Sequence, residues 1–487
     1  MTKKKLLIRI LVGCMAALVL LIVFPALGIE WYGARQWEKA EANLRARGEP
    51  VTLQEIIPPP ISDAENFALS PFLTGIFADS GTPEFITAKA RTEAWALPSK
   101  TLPPPKMNVK SEEPFDAAAW QKYVHASPEF QLAPAYGAPL ADIRQAIINL
   151  GAPLDEVARD LREQPRMRAP VKYERTFAMS LPHLTVLDKL SALYSLRAIT
   201  SIRLGNSGDS LQDIQTILLL ARASEPSQTL IGHLVASTIE AKAATAIREG
   251  LATHVWNDAQ LQELAAEIST CQPLAQITSA LGKERAAFFH FSRQLGSDPA
   301  RTLGELDPTS MLKLTGANRI PKGIWLADRA YYSQYMQQMM DGVLDTARGR
   351  VHVAKAHELE ARFKEEDTFP QRMLHLLSSI SLPVFSTLQV GAAETTARLN
   401  SAQVAIALER CRLVHQSWPT QLAALQPGFL PQIPLDPIDG QPLRYRLEPD
   451  GRYRIWSIGW NEKDDDGVAD KAREKGDWVW VSLPLPQ

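Results

Sequence analysis

Between Ser457 and Trp478 the chain reads SIGWNEKDDDGVADKAREKGDW, and the spacing of its acids is the clearest chemical pattern in the sequence. Taking Glu462 as the first ligand, carboxylates follow at Asp464 and Asp466, Gly467 falls at the sharp turn, and Asp470 comes next. Carboxylates two residues apart can converge on one hard cation as the backbone curls around a glycine, which is how a calcium loop works. Position twelve is Arg473, where an EF-hand needs a bidentate glutamate, although Glu474 is adjacent. The competing reading is a solvated acidic turn. Lys463, Lys471, Arg473 and Lys475 lie among the acids and can pair with them, holding the loop without metal.

No other segment carries a recognisable catalytic pattern. His357-Glu358-Leu359-Glu360 lacks the second histidine of a zinc helix, and Gly282-Lys283 is followed by Glu284 where a phosphate loop needs Ser or Thr. Among the nine histidines, His183 at a helix start and His233 in an apolar helix stand out, and a core role with satisfied nitrogens is expected for both. Three cysteines, Cys14, Cys271 and Cys411, exclude a disulfide framework, and Cys271 and Cys411 are expected as buried free thiols. With 52 basic and 54 acidic residues the net charge is −2, so no overall field draws nucleic acid, and no nucleic-acid partner is expected.

The elements that position these residues begin with an apolar leader. Lys3, Lys4 and Lys5 precede Leu6 to Gly28, in which Arg9 is the only charge. About 20 apolar residues cross a bilayer's hydrocarbon. A membrane helix is therefore expected over residues 6–28, with the lipid bilayer as its partner. The basic flank places the N-terminus in the cytoplasm and the bulk of the chain outside it, at a bacterial inner membrane. Two alternatives compete: a signal-peptidase site at Ala26-Leu27-Gly28, and a lipobox ending at Cys14. The apolar run is longer than a usual signal peptide's, which favours an uncleaved anchor.

Four segments follow from the pattern: the anchor (1–28), a helical extension with a proline-rich spacer (29–114), an α-helical array (115–390) and a small α+β module (391–487). Pro58-Pro59-Pro60 and Pro103-Pro104-Pro105 mark the spacer. In the array, Leu187 to Ile202 recur at helical spacing and stop at Gly205-Asn206-Ser207-Gly208. Asp209-Ser210 can cap the next helix, a third runs from about Thr229 to Leu251, and a fourth starts near Asn257 with Gln260 as capping-box partner. Further helices are expected over Leu281 to Leu295, Ile324 to Thr346 and Gly349 to Lys364. Such apolar helices with short connections predict hairpin or solenoid-like packing. The stretch from Leu190 to Pro226 resembles a tetratricopeptide repeat in length and terminal proline, without a second copy at a fixed period. In the last segment Thr395 to His415 reads as a helix ended by Trp418-Pro419. Leu443 to Leu447, Tyr453 to Trp456 and Trp478 to Val481 read as strands of a three- to four-stranded antiparallel sheet.

This last segment resembles the globular domain of the major pseudopilin of type II secretion systems. The resemblance is carried in order by Ala402 to His415, Trp418-Pro419-Thr420, Leu422 to Leu425, Ile433-Pro434-Leu435-Asp436-Pro437-Ile438-Asp439-Gly440-Gln441-Pro442-Leu443-Arg444-Tyr445, Tyr453 to Gly459, the acidic loop, and Asp477 with Trp480. It covers about the last 90 residues. It implies a calcium ion in the loop, with Glu462, Asp464, Asp466, Asp470 and Asp477 as the candidate set. The chain departs from that family in setting some 370 residues between leader and module, so a pseudopilus subunit is not implied. The expectation is a single-pass envelope protein acting as a scaffold or interaction component for a protein partner, linked to secretion or envelope assembly. The alternative is an envelope hydrolase whose site lies in the helical region.

Overall fold

A computed structural model describes residues 3–98, 102–105, 107, 113–224, 229–298, 301–302, 320–369 and 371–484, with the backbone alone for residues 3–23, 384 and 386. The architecture is mainly helical, with one two-stranded and one three-stranded antiparallel sheet.

Helix α1 runs from Lys3 to Ala46 without a break. Gly33, Trp37, Ala40 and Leu44 are buried, a spacing that places one stripe of its C-terminal half against the body. Upstream the same helix is bare: Phe24 is 64% exposed, Leu27 61% and Trp31 66%. Among the described residues no helix is long and apolar enough to cross a membrane. The side chains of residues 6–23, which make up most of the expected span, lie outside the described residues.

The proline-rich segment does not stand away from the rest. Short 3-10 turns at Phe67–Leu69 and Pro71–Leu73 deliver Phe67 and Phe72 into the main core. Beyond them come α2 (Pro83–Glu93), α3 (Ala117–Ala126), α4 (Pro139–Asn149) and α5 (Leu154–Glu163). The array then folds as α6 (Pro182–Arg203), α7 (Ser207–Ser224), α8 (Leu230–Thr253) and α9 (Asp258–Ser269). α6 stops where Gly205 takes φ +78, a left-handed value that glycine adopts without strain. α7 starts at Ser207, two residues before the expected cap, which leaves Ser210 buried inside the helix. Asn257 and Gln260 form the reciprocal capping box that starts α9.

α10 (Pro273–Ser297), α11 (Lys322–Gln338) and α12 (Val353–Glu366) build a second layer around α1. The helix expected to reach Thr346 ends earlier. A π turn at Met339–Val343 gives way to a hairpin of β1 (Leu344–Asp345) and β2 (Arg350–Val351), turned at Gly349, whose φ is +62. After the short α13 (Gln371–Leu374) and α14 (Leu376–Ser381), α15 (Phe385–His415) closes the body. Gln416 stops α15 with φ +58, before Trp418-Pro419 is reached.

The expected boundary at 390/391 lies inside α15. This helix lines both large cores. Phe385 to Ala397 pack with α10, α11 and α12, whereas Leu399 to Cys411 pack with α6 to α9. The sheet β3-β4-β5 (Arg444–Leu447, Tyr453–Ser457, Trp478–Val481) sits on it, sending Ile455 and Trp480 into one core and Trp478 into the other. Cys271 is half-buried and Cys411 buried, both free thiols.

Candidate functional site

Strand alternation sets the stage for the acidic loop. β3 and β4 pair so that Tyr445 faces Ile455 on the core side, while Arg444 lies opposite Trp456 and Arg446 opposite Arg454 on the other. Two arginines directly across from each other repel. Glu448 relieves this, accepting from Arg446 Nε at 3.1 Å and pairing with Arg454 Nε at 2.9 Å.

The loop folds over this arginine face. A Cβ on Gly467, whose φ is +75, would stand 3.3 Å from the Trp456 ring, so the turn lies flat on the indole. Trp456 Nε1 donates to Asp464 Oδ1 at 2.9 Å, and Arg444 Nε stands 3.7 Å from Asp464 Oδ2. Arg446 Nη1 donates to Asp466 Oδ1 at 2.8 Å, and Arg454 Nη1 donates to the Gly467 carbonyl at 3.2 Å. Asp470 Oδ1 caps its own turn by accepting from the Ala472 N–H at 2.8 Å. Glu462 is exposed with φ +56 and has no described side-chain partner.

Asp477 acts from below. It is buried and accepts from the N–H groups of Asp465 (3.2 Å) and Gly467 (2.7 Å). Burial pushes its carboxyl above the usual range, and those two amide bonds only partly offset the push.

The five candidate ligands are thus near one another in sequence and differently engaged. Asp464 takes the Trp456 indole N–H with Arg444 farther off, Asp466 pairs with Arg446, Asp477 accepts from backbone amides, and Asp470 caps its own turn. Among the described residues no group of three or more His, Cys, Asp or Glu side chains gathers as a metal site. As placed, these carboxylates do not converge on one point, and the donor set does not fit calcium. Of the four interspersed cations only Arg473 has a described ion pair, and its partner is Glu394 of α15, at 2.5 Å, outside the loop.

Asp436 carries no chemical signal in the sequence. Wholly buried, it accepts from the N–H groups of Ile438 and Ile458, each at 2.9 Å, from Ser457 Oγ at 2.7 Å and from Arg444 Nη1 at 2.9 Å. Burial raises its pKa above the ordinary aspartate value despite these donors. One carboxylate thereby ties the segment before β3 to the end of β4.

A cleft of about 420 Å³ opens where α8 ends against the sheet, lined by Arg248, His254, Trp418, Arg452 and Tyr453 among others. His254 Nδ1 lies 2.9 Å from Glu409 Oε1, which also accepts from Arg412 Nη2 at 2.7 Å. Ser482 at the cleft edge donates from Oγ to the Tyr453 carbonyl at 3.2 Å and accepts from the Tyr453 N–H at 2.8 Å. Among the described hydrogen bonds none links it to His254, so no nucleophile and base are paired there.

His183 and His233 are buried as expected, but the Nδ1 atom of each has no described hydrogen-bond partner. Burial lowers both pKa values to about 4, which keeps the rings neutral.

The chain matches no protein-family model, and comparison with curated proteins and with solved structures likewise gives no match.

Proposed function

We propose that this protein is a single-pass, membrane-anchored envelope protein whose body is a scaffold for a protein partner, with a pseudopilin-like module built into that body. The observation that carries this reading is the course of α1. Its last third is gripped by the body, while Phe24, Leu27 and Trp31 upstream point away from any cover. The apolar run of residues 6–28 continues from there, and Trp31 with Tyr32 provides the aromatic pair suited to a headgroup layer. Lys3 to Lys5 and Arg9 orient the N-terminus to the cytoplasm and the body to the far side of an inner membrane.

The scaffold reading draws on an open cleft of about 520 Å³ between α4–α5 and α6–α7. Ile148 (58% exposed) and Leu204 (43%) stand at its lips, and Arg144, Asp155 and Asp209 stand around them. Exposed apolar side chains interspersed with charges of both signs suit a protein segment. The module's helix, α15, is covered by α8 and α9 along its second half and by the sheet, which suits a built-in part better than a polymerising subunit. The link to secretion or envelope assembly rests on the pseudopilin resemblance.

Two measurements test the proposal. Intact protein is expected in the membrane fraction, released by detergent and retained through alkaline carbonate. A photo-crosslinker at Ile148 is expected to capture a discrete protein in native membranes, and one at Val414 to capture none. Intact protein free in the soluble fraction would end the reading.

A further inference from the structure

The helices around α1 have directions that define a base. α11 rises parallel to α1: Gly323 in its first turn abuts Ile29 and Gly33, and Asp341 beyond its end pairs with Arg47 at 2.7 Å. α12 descends, from a start where the His352 N–H donates to the Val343 carbonyl to an end where Tyr331 Oη donates to Glu366 at 2.9 Å. α15 climbs again from Phe385, whose ring meets Tyr332 edge-on. The chain between α12 and α15 therefore reverses beside the first half of α11, towards the end of the body from which the bare part of α1 emerges.

That reversal is fixed on its inner side. Asp328 of α11 accepts from the N–H groups of Leu377 (2.9 Å) and Ser378 (3.1 Å), and His375 stacks on Tyr331 with ring centroids 3.9 Å apart. Its outer side carries Phe369, 83% exposed, with Met373 and Ile380, each 51% exposed. Single exposed apolar residues need no explanation, but three large ones within twelve residues mark a surface that something covers. Exposed Lys322 opens α11 at the same end, and exposed Arg293 lies in the last turns of descending α10.

We infer that Phe369 and the 371–380 segment rest on the bilayer, giving the body a second, peripheral membrane contact beside the anchor. Phe369, Met373 and Ile380 enter the boundary between headgroups and acyl chains, and Lys322 and Arg293 meet lipid phosphates, the arrangement by which short apolar segments lie in an interface. The occupant follows from continuity: the same end carries the uncovered apolar side chains of α1. The inference rests on the anchored reading of α1 and adds to it a fixed posture of the body on the membrane.

The test uses the full chain reconstituted in vesicles of phosphatidylethanolamine and phosphatidylglycerol, with p-benzoylphenylalanine placed in turn at Met15, Phe369 and Val414. Val414 is 62% exposed and lies at the far end of α15, roughly 45 Å along that helix from its start. Lipid adducts at Met15 and Phe369, with none above background at Val414, support the inference. Adducts at Met15 with Phe369 no better than Val414, or with Phe369 joined to protein (a second copy or another partner) in place of lipid, overturn it and leave the anchor standing. No lipid adduct at Met15 overturns the anchored reading itself, and the inference with it.

Discussion

Gly33 of α1 and Gly323 of α11 meet backbone to backbone: a Cβ on Gly33 would lie 1.9 Å from the Gly323 carbonyl oxygen, and one on Gly323 would lie 2.2 Å from the Ile29 carbonyl oxygen. Neither obstacle is a flexible side chain, so the helices would have to part. Gly33→Ala and Gly323→Ala are each expected to destabilise the protein by about 3 kcal/mol, the upper part of the overpacking range. Gly282→Ala in α10, where nothing lies within 4 Å of the added carbon, is expected to gain up to about 1 kcal/mol from helix propensity. Chemical denaturation in detergent reads both. A gain at Gly33 would refute the close crossing.

Asp328 gives the fold a pH dependence of known sign. Burial raises its pKa to about 6, against the lowering pull of the Ser378 hydroxyl and the Leu377 and Ser378 amides. A carboxyl with a raised folded pKa holds its proton more tightly folded than unfolded. Its stabilising contribution is complete below the unfolded value and is lost as pH climbs through about 6. The loss caused by Asp328→Asn, measured from denaturation midpoints, should therefore be larger at pH 4.5 than at pH 8, by at most ~3 kcal/mol. A difference of the opposite sign would contradict the burial.

In the acidic loop the exposed and the buried carboxylates should behave differently. Asp466, with 84% of its side chain accessible, forms a screened pair with Arg446, so Asp466→Ala is expected to cost less than ~1 kcal/mol. Asp477→Ala leaves two loop amides without an acceptor and is expected to cost ~2–4 kcal/mol.

Calcium supplies a separate check on the same loop. Since the candidate carboxylates do not converge, thermal unfolding is expected at the same temperature in calcium and in chelator. A rise of several degrees in calcium, removed by Asp466→Ala, would establish the ligand set that the resemblance implies.

Glu448 holds Arg446 and Arg454 together across β3 and β4. Glu448→Ala should cost about 1 kcal/mol at low salt, and the cost should shrink as salt screens the two facing guanidinium groups. Guanidinium denaturation hides this effect, so urea is the denaturant to use.

Much of this fold is legible in the chain. The apolar period of α6 through α9, the Asn257–Gln260 cap and the alternation of β3 and β4 are local patterns, and local patterns survive folding. What was illegible depended on distant partners. Phe67 and Phe72 sit on 3-10 turns, which have no period long enough to betray a buried face, so a core segment read as a spacer. Arg444 and Arg446 alternate with apolar residues and look like the wet side of a strand, because Asp464 and Asp466 reach them from 20 residues further along. Asp436 has no role legible in the sequence, since three of its donors come from residues that only the finished sheet brings near.

α15 makes the two cores lean on one wall. Removing the chain from Phe385 onward would strip apolar cover from both at once, and the terminal sheet alone would lack the surface it folds against. The molecule is therefore expected to fold as a block: a stop codon before Phe385 should destabilise the first half along with the second, and calorimetry of the intact protein should trace one peak.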